Sequence, residues 1–265
     1  MNLSWIPNTL SLGNLFLGFL SVILSIIMVS QSNDLSGQEA HPYIKYIALC
    51  ILGAGVLDVL DGRIARSIKH DNPIGKELDS LADLASFGIA PGIMFYVLFF
   101  APNPYYASPF QDYKIVGAVI AFLFPVFGAL RLAKFNITET PGYFIGIPSP
   151  IAGGGCALLL TFNELPAIFD PLKDITADPI TFTLPWQLAL AIFVFYAILM
   201  YSRFVYQKTS PSFMNFSKRN SLLRNVISVI FLASLVVFFK FFLFFSALYY
   251  TLKPILSFRR APSNT

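Results

Sequence analysis

The stretch DVLDGRIARSIKHDNPIGKELDSLAD, from Asp58 to Asp83, carries four acids that align only if the chain is helical on both sides of a short turn. At 3.6 residues per turn, Asp58, Asp61 and Ala65 share one face of the first helix. Gly75, Asp79, Asp83 and Ser86 share one face of the second. The short connection makes the helices antiparallel neighbours, so the two acidic faces converge. The runs flanking this stretch are apolar over about 20 residues each, the length a bilayer core demands of a helix. A carboxylate near the middle of a membrane costs roughly 2.5 to 3.5 kcal/mol on insertion scales, so four of them together require a compensating role.

Outward from this stretch, the chain reads as further membrane spans. Of its 265 residues 56% are hydrophobic and 12% charged, about half the roughly 25% charge of soluble domains. This composition excludes a soluble globule, and a chain so apolar does not stay disordered. Apolar runs predict helices over 8–30, 43–66, 76–100, 113–134, 148–168, 183–204, 222–239 and 241–256, with Lys240 as the turn between the last two. The fold class expected is an all-α polytopic membrane protein. The first run has no Lys or Arg ahead of it and outlasts a signal-peptide core, so it reads as a retained span. Cys50 and Cys156 sit in apolar runs without CxxC spacing and read as core thiols. No repeat or soluble appendage is visible, and no nucleic-acid partner is expected.

Cations orient the bundle, because Lys and Arg accumulate in cytoplasmic loops. Fourteen of the 18 fall on one face: Arg63, Arg66, Lys69, Lys76, Arg131, Lys134, Arg203, Lys208, Lys218, Arg219, Arg224, Lys253, Arg259 and Arg260. Lys45, Lys114, Lys173 and Lys240 fall on the other, among Asp34, Glu39, Asp112, Glu164, Asp170, Asp174 and Asp178. Both termini and the acidic cavity are therefore expected on the cytoplasmic side of the cell membrane.

Four converging carboxylates repel one another unless cations hold them. An all-oxygen set without His or Cys suits Mg²⁺ or Mn²⁺, and paired ions roughly 3.5 to 4 Å apart are the usual device for phosphoryl chemistry. Gly62, Ala65 and Gly75 permit close approach of a large polar ligand to the backbone, and Arg66 offers a forked donor suited to phosphate. Asp71, Glu77 and Glu139 lie outside the pattern. A cation transporter would also cluster acids in the membrane, but here they are reached from one side, and the outer halves of the two helices carry no matching polar path. Gly88 and Gly92 form a GxxxG pair suited to packing inside the bundle.

The pattern Asp58-x2-Asp61-Gly62-x2-Ala65-Arg66-x8-Gly75-x3-Asp79-x3-Asp83 resembles, at every fixed position, the signature of the CDP-alcohol phosphatidyltransferases. The resemblance implies a six-helix catalytic core over residues 1–206, with 207–265 adding two transmembrane helices and a tail. It also implies two divalent metals and a homodimer. Asp58, Asp61, Asp79 and Asp83 would form the metal set, the first three as ligands and Asp83 close to a metal while acting as base. Gly62, Ala65, Arg66 and Gly75, with Asn8 and Thr9, would contact CDP-diacylglycerol.

Further segments, PNTLSLGNLFLGF from Pro7 to Phe19, SFGIAP from Ser86, RLAKFN from Arg131 and FIGIPSP from Phe144, are similar to the integral-membrane phosphatidylserine synthases of that family. Lys134 departs from the Arg of that branch, keeping the charge and losing the fork. The acceptor implied is L-serine, with glycerol 3-phosphate or inositol phosphate as the alternative. The serine carboxylate needs a cation, which Arg131 and Lys134 can supply. Asn136, Ser86 and Ser149 can orient its amino group. Asn14, Gly18, Ser21 and Ser25 form a packing face on the first span, from which Asn14 is the residue expected to reach ligand.

Overall fold

A computed structural model describes residues 5–31, 43–68, 73–101, 112–138, 143–162, 185–207 and 239–257. Its helices are α1 (Trp5–Gln31), α2 (Tyr43–Ile68), α3 (Pro73–Leu84), α4 (Ala90–Phe99), α5 (Lys114–Ile137), α6 (Ser149–Leu160), α7 (Trp186–Met200) and α8 (Phe239–Leu256). Among the described residues, four continuous stretches are long and apolar enough to cross a membrane: Pro7–Gln31, Tyr43–Ile64, Pro73–Phe99 and Lys114–Ile137. The shorter α6 and α7 are apolar too; the parts of their expected spans from 163 to 184 lie outside the described residues.

The third stretch is not a uniform helix. Ala85–Ile89 forms a wide π turn between α3 and α4. It lies just before Pro91, which has no N–H to return to the preceding turn. The wide turn changes which faces the two halves present. Above it, Asp79 joins the acids of α2 and Asp83 is bonded to Asn14 and Ser149. Within it, Ser86 meets α1, its hydroxyl donating to the Asn14 carbonyl at 2.8 Å. A Cβ on Gly18 would collide with that hydroxyl, so the α1 crossing depends on glycine there. Gly153 of α6 lies as close to the Phe87 backbone, where a Cβ would stand 2.7 Å from Cα. Gly88 and Gly92 pack against Pro125 and the Ala121 carbonyl of α5, inside the bundle. On α1, Ser21 and Ser25 spend their hydroxyls on the Ile47 and Ser21 carbonyls, as packing residues do. Below this crossing the core is aromatic, with Phe95 of α4 stacked on Phe193 of α7 at 4.0 Å and Phe124 of α5 tilted against it at 4.9 Å.

The structure is mostly helical, as an all-α membrane protein should be, and two local features differ from the expected helix boundaries. Tyr143–Ile145 (β1) and Val205–Gln207 (β2) form a two-stranded antiparallel ribbon, pairing Tyr143 with Gln207 and Ile145 with Val205. Both strands are rich in β-branched and aromatic residues, which favour extended backbone. Phe204, which the apolar run had assigned to the sixth helix, leads directly into β2; that helix closes at Met200, where Tyr201 and Ser202 turn back onto Ile198 and Leu199. Gly146 follows β1 at φ +77°, with the Met200 carbonyl where a Cβ would be. Backbone bonds from Gly146 to Phe204 (2.9 Å) and from Ile147 to Leu199 (3.2 Å) then tie the start of α6 to the end of α7.

The second correction concerns Lys240, which lies inside α8 and not in a turn. Lys is a good helix former, and no Gly or Pro interrupts the chain from 231 to 253. The helix expected over 222–239 lies outside the described residues up to 238. α8 packs on α6. Thr251 meets the Tyr196 hydroxyl at 3.3 Å, and the Tyr206 hydroxyl donates to the Thr251 carbonyl at 3.4 Å.

Candidate active site

The acids gather at one end of the bundle, where α1, α3 and α6 begin and α2, α5 and α7 end. Asp58 and Asp61 lie one turn apart on α2, and Asp79 faces them from α3. Ligand oxygens of these three carboxylates all lie within 4.8 Å of one another. Asp61 is held by the Ser11 hydroxyl at 3.1 Å, and Ser11 is itself placed by its position one turn after Pro7. Asp79 Oδ1 is buried, and among the described residues it has no hydrogen-bond partner. Three oxygen donors at this range, one with an unmet lone pair, fit a hard divalent cation. Among the described residues no His or Cys joins the cluster.

Asp83 is bound differently. It is 7% exposed, and both its oxygens accept hydrogen bonds: Oδ1 from Asn14 Nδ2 at 3.2 Å, Oδ2 from the Ser149 hydroxyl at 2.9 Å. Ser149 in turn accepts from an Arg131 guanidinium nitrogen at 2.8 Å. A buried polar line therefore runs Asn14, Asp83, Ser149, Arg131 across α1, α3, α6 and α5. Arg131 stands over the Phe135 ring at 5.9 Å and within electrostatic reach of Asp58 and Asp83, and also of Tyr250 on α8. Its Nε is buried without a partner among the described residues, as is Asn14 Oδ1. Buried polar atoms left unpaired cost about 1–3 kcal/mol each, so their concentration beside Asp83 marks a place built for a ligand.

A cleft opens from Arg131 past Lys134, Phe135 and Thr138 to Ile145, Met200, Tyr201 and Ser202. Lys134 thus shares the Arg131 cleft. Asn136 does not: its amide donates to Ser80 at 3.0 Å and its carbonyl receives Lys76 Nζ at 3.4 Å, a separate link between α3 and α5. Ser86 is committed to the α1 backbone. At Gly62 an added Cβ would meet no atom within 4 Å, so the backbone faces open space beside Asp61. Gly75 is half-buried near the start of α3, Asn8 is half-buried and Thr9 exposed. Ala65 and Arg66 continue α2, but their side chains lie outside the described residues. Sequence reasoning passed over Ser11 and Tyr250. The signal for Ser11 was its place three residues before Asn14, on the same face as Gly18 and Ser21.

The profile of the family described as CDP-alcohol phosphatidyltransferase matches residues 4–201. The chain belongs to that family. Among curated relatives, it is 34% identical over 151 residues to the CDP-diacylglycerol–serine O-phosphatidyltransferase of Helicobacter pylori, covering 55% of this chain and 53% of that one. It is 31% identical over 167 residues to the Bacillus subtilis protein of the same name, covering 63% and 80%. An archaetidylserine synthase of Methanothermobacter thermautotrophicus is 30% identical over 170 residues, covering 62% of each. The match thus spans about half the length of the Helicobacter protein. The part of this chain inside the family profile contains all four acids and the whole Asn14 to Arg131 line; α8 lies beyond it.

Proposed function

We propose that this protein transfers the phosphatidyl group of CDP-diacylglycerol to the hydroxyl of L-serine, giving phosphatidylserine and CMP. The observation that carries the reading is the fastened carboxylate of Asp83, set between a metal-suited acid cluster and a buried, partly unpaired guanidinium. Asp58, Asp61 and Asp79 would hold the Mg²⁺ or Mn²⁺ pair, which when bound neutralises charge on the diphosphate. Gly62, Ala65, Arg66 and Gly75, with Asn8 and Thr9, would receive the cytidine diphosphate. Asp83, close to the metal site, acts as general base. Each of its oxygens keeps a lone pair beyond the bond it already accepts, so the incoming hydroxyl can be met without breaking the clamp.

The serine oxygen attacks the phosphorus bonded to diacylglycerol, its proton passes to Asp83, the new O–P bond forms, and the phosphoanhydride breaks with its electron pair leaving on CMP. Arg131 and Lys134 receive the serine carboxylate in their shared cleft. Ser149 holds Arg131 and Asp83 in register. The six-helix core with two C-terminal helices, the homodimer and the cell-membrane location belong to the same reading. The exposed row Ile115, Val119 and Phe122 on α5 suits lipid or a second copy.

The test is release of CMP from CDP-diacylglycerol by purified protein against a panel of acceptors. Serine-dependent release, with glycerol 3-phosphate and inositol phosphate at background, is the expected result; turnover confined to either phosphorylated alcohol would replace the acceptor.

The orientation gives a separate prediction. In a background without Cys50 and Cys156, a cysteine replacing exposed Lys76 should react with impermeant thiol reagent only from the cytoplasmic side, and one replacing exposed Asp112 only from outside. Labelling of position 76 from outside would invert the topology.

A further inference from the structure

Asn14 is completely buried, yet among the described residues only one end of its amide has a partner. Which end is which follows from chemistry. The Asp83 carboxylate only accepts, so the amide nitrogen must face it, and the oxygen is the atom left over. The unpaired Oδ1 can only accept, and at the other end of the polar line the unpaired Arg131 Nε can only donate. Between them stands Asp83. An acceptor-only atom, a base and a cationic donor in series match the three groups of a small zwitterionic alcohol: ammonium, hydroxyl and carboxylate. Neither a glycerol nor an inositol phosphate offers a group to donate a charged hydrogen bond to Asn14.

We infer that Asn14 has two roles: its Nδ2 positions the Asp83 carboxylate, and its Oδ1 binds the ammonium group of the acceptor. The acceptor class is thereby narrowed to alcohols with an amino group beside the hydroxyl-bearing carbon. This inference rests on the proposed phosphatidyl transfer to serine and adds the residue that reads the amine. Asn14 touches both the acceptor and the base, so losing it damages acceptor choice as well as rate. A purely packing role would lower turnover of every acceptor alike.

The experiment compares L-serine with 3-hydroxypropionate, which keeps the hydroxyl and carboxylate and lacks the amine, in CMP release by the full-length protein and by Asn14→Ala and Asn14→Ser. Wild type is expected to favour serine in kcat/KM. In the variants that preference should shrink by roughly 10- to 100-fold, the range for a hydrogen bond to a charged group, mainly through the serine KM. Both variants should share an additional fall in kcat for the two acceptors, from the loosened base. Thermal-shift titration of the two acceptors against CMP-loaded protein gives the same comparison without turnover, for a variant too slow to assay. An equal loss for both acceptors, or a wild type that does not distinguish them, overturns the ammonium role. A wild type that releases CMP only with other alcohols fails the serine reading itself, a result separate from either of these.

Discussion

The D83N protein is expected to bind CDP-diacylglycerol like wild type and to turn over at least roughly 10²-fold more slowly, the scale of general-base removal. That factor corresponds to about 2.7 kcal/mol of barrier. The substitution is close to isosteric, and the surrounding bonds can survive it. The carboxamide oxygen still accepts from Asn14, and its NH₂ can donate to Ser149, which Arg131 already holds from the other side at 2.8 Å. The fold and the Asp58, Asp61 and Asp79 cluster are thus left in place while the proton acceptor is removed. Donor affinity measured by titration and CMP release measured under saturating serine separate the two effects. Turnover within about tenfold of wild type would assign the base elsewhere. A donor affinity that collapses with the rate would instead make Asp83 chiefly a metal ligand.

Chelation is expected to have the larger effect: excess EDTA should abolish CMP release, and Mg²⁺ or Mn²⁺ should restore it. Two like charges about 4 Å apart repel by about 4 kcal/mol at an effective dielectric near 20. Asp58, Asp61 and Asp79 set three such pairs at comparable range, with Asp79 Oδ1 unmatched by any described donor. A bound divalent ion offsets this repulsion by attracting all three carboxylates, so it should also raise the melting temperature in detergent, as any ligand of the native state does. Full turnover after exhaustive chelation would remove the metal from the proposed mechanism.

The two acidic helices were legible because charge in a membrane is costly and its spacing on a helix is rigid. Asp58, Asp61, Asp79 and Asp83 could be placed before any tertiary contact was known. The hydroxyls and amides were less legible. Ser11, Ser86 and Ser149 look alike in a sequence, small polar residues on helix faces, but the first holds Asp61, the second joins two helices and the third links Asp83 to Arg131. What separates them is where helices cross, which the sequence alone does not state. Asn136 shows the same limit, since its neighbour Ser80 is supplied by another helix. The π turn before Pro91 escaped notice because hydropathy averages across it. The ribbon escaped because three-residue strands leave almost no periodic signal.

That ribbon sets an order of events during biosynthesis. All four acids leave the ribosome early, on neighbouring helices that can insert and associate at once. Ser149 is synthesised later, and the turn at Gly146 that presents it is tied to Leu199 and Phe204, with β1 unpaired until Val205 to Gln207 have emerged. A nascent chain arrested before that point already carries the whole acidic cluster, and Arg131 to hold Ser149, but lacks the ribbon that ties the turn before Ser149 to the end of α7. The charge that attracts a cation is assembled first, and the bracing of the turn before Ser149 is left to the last residues of the core.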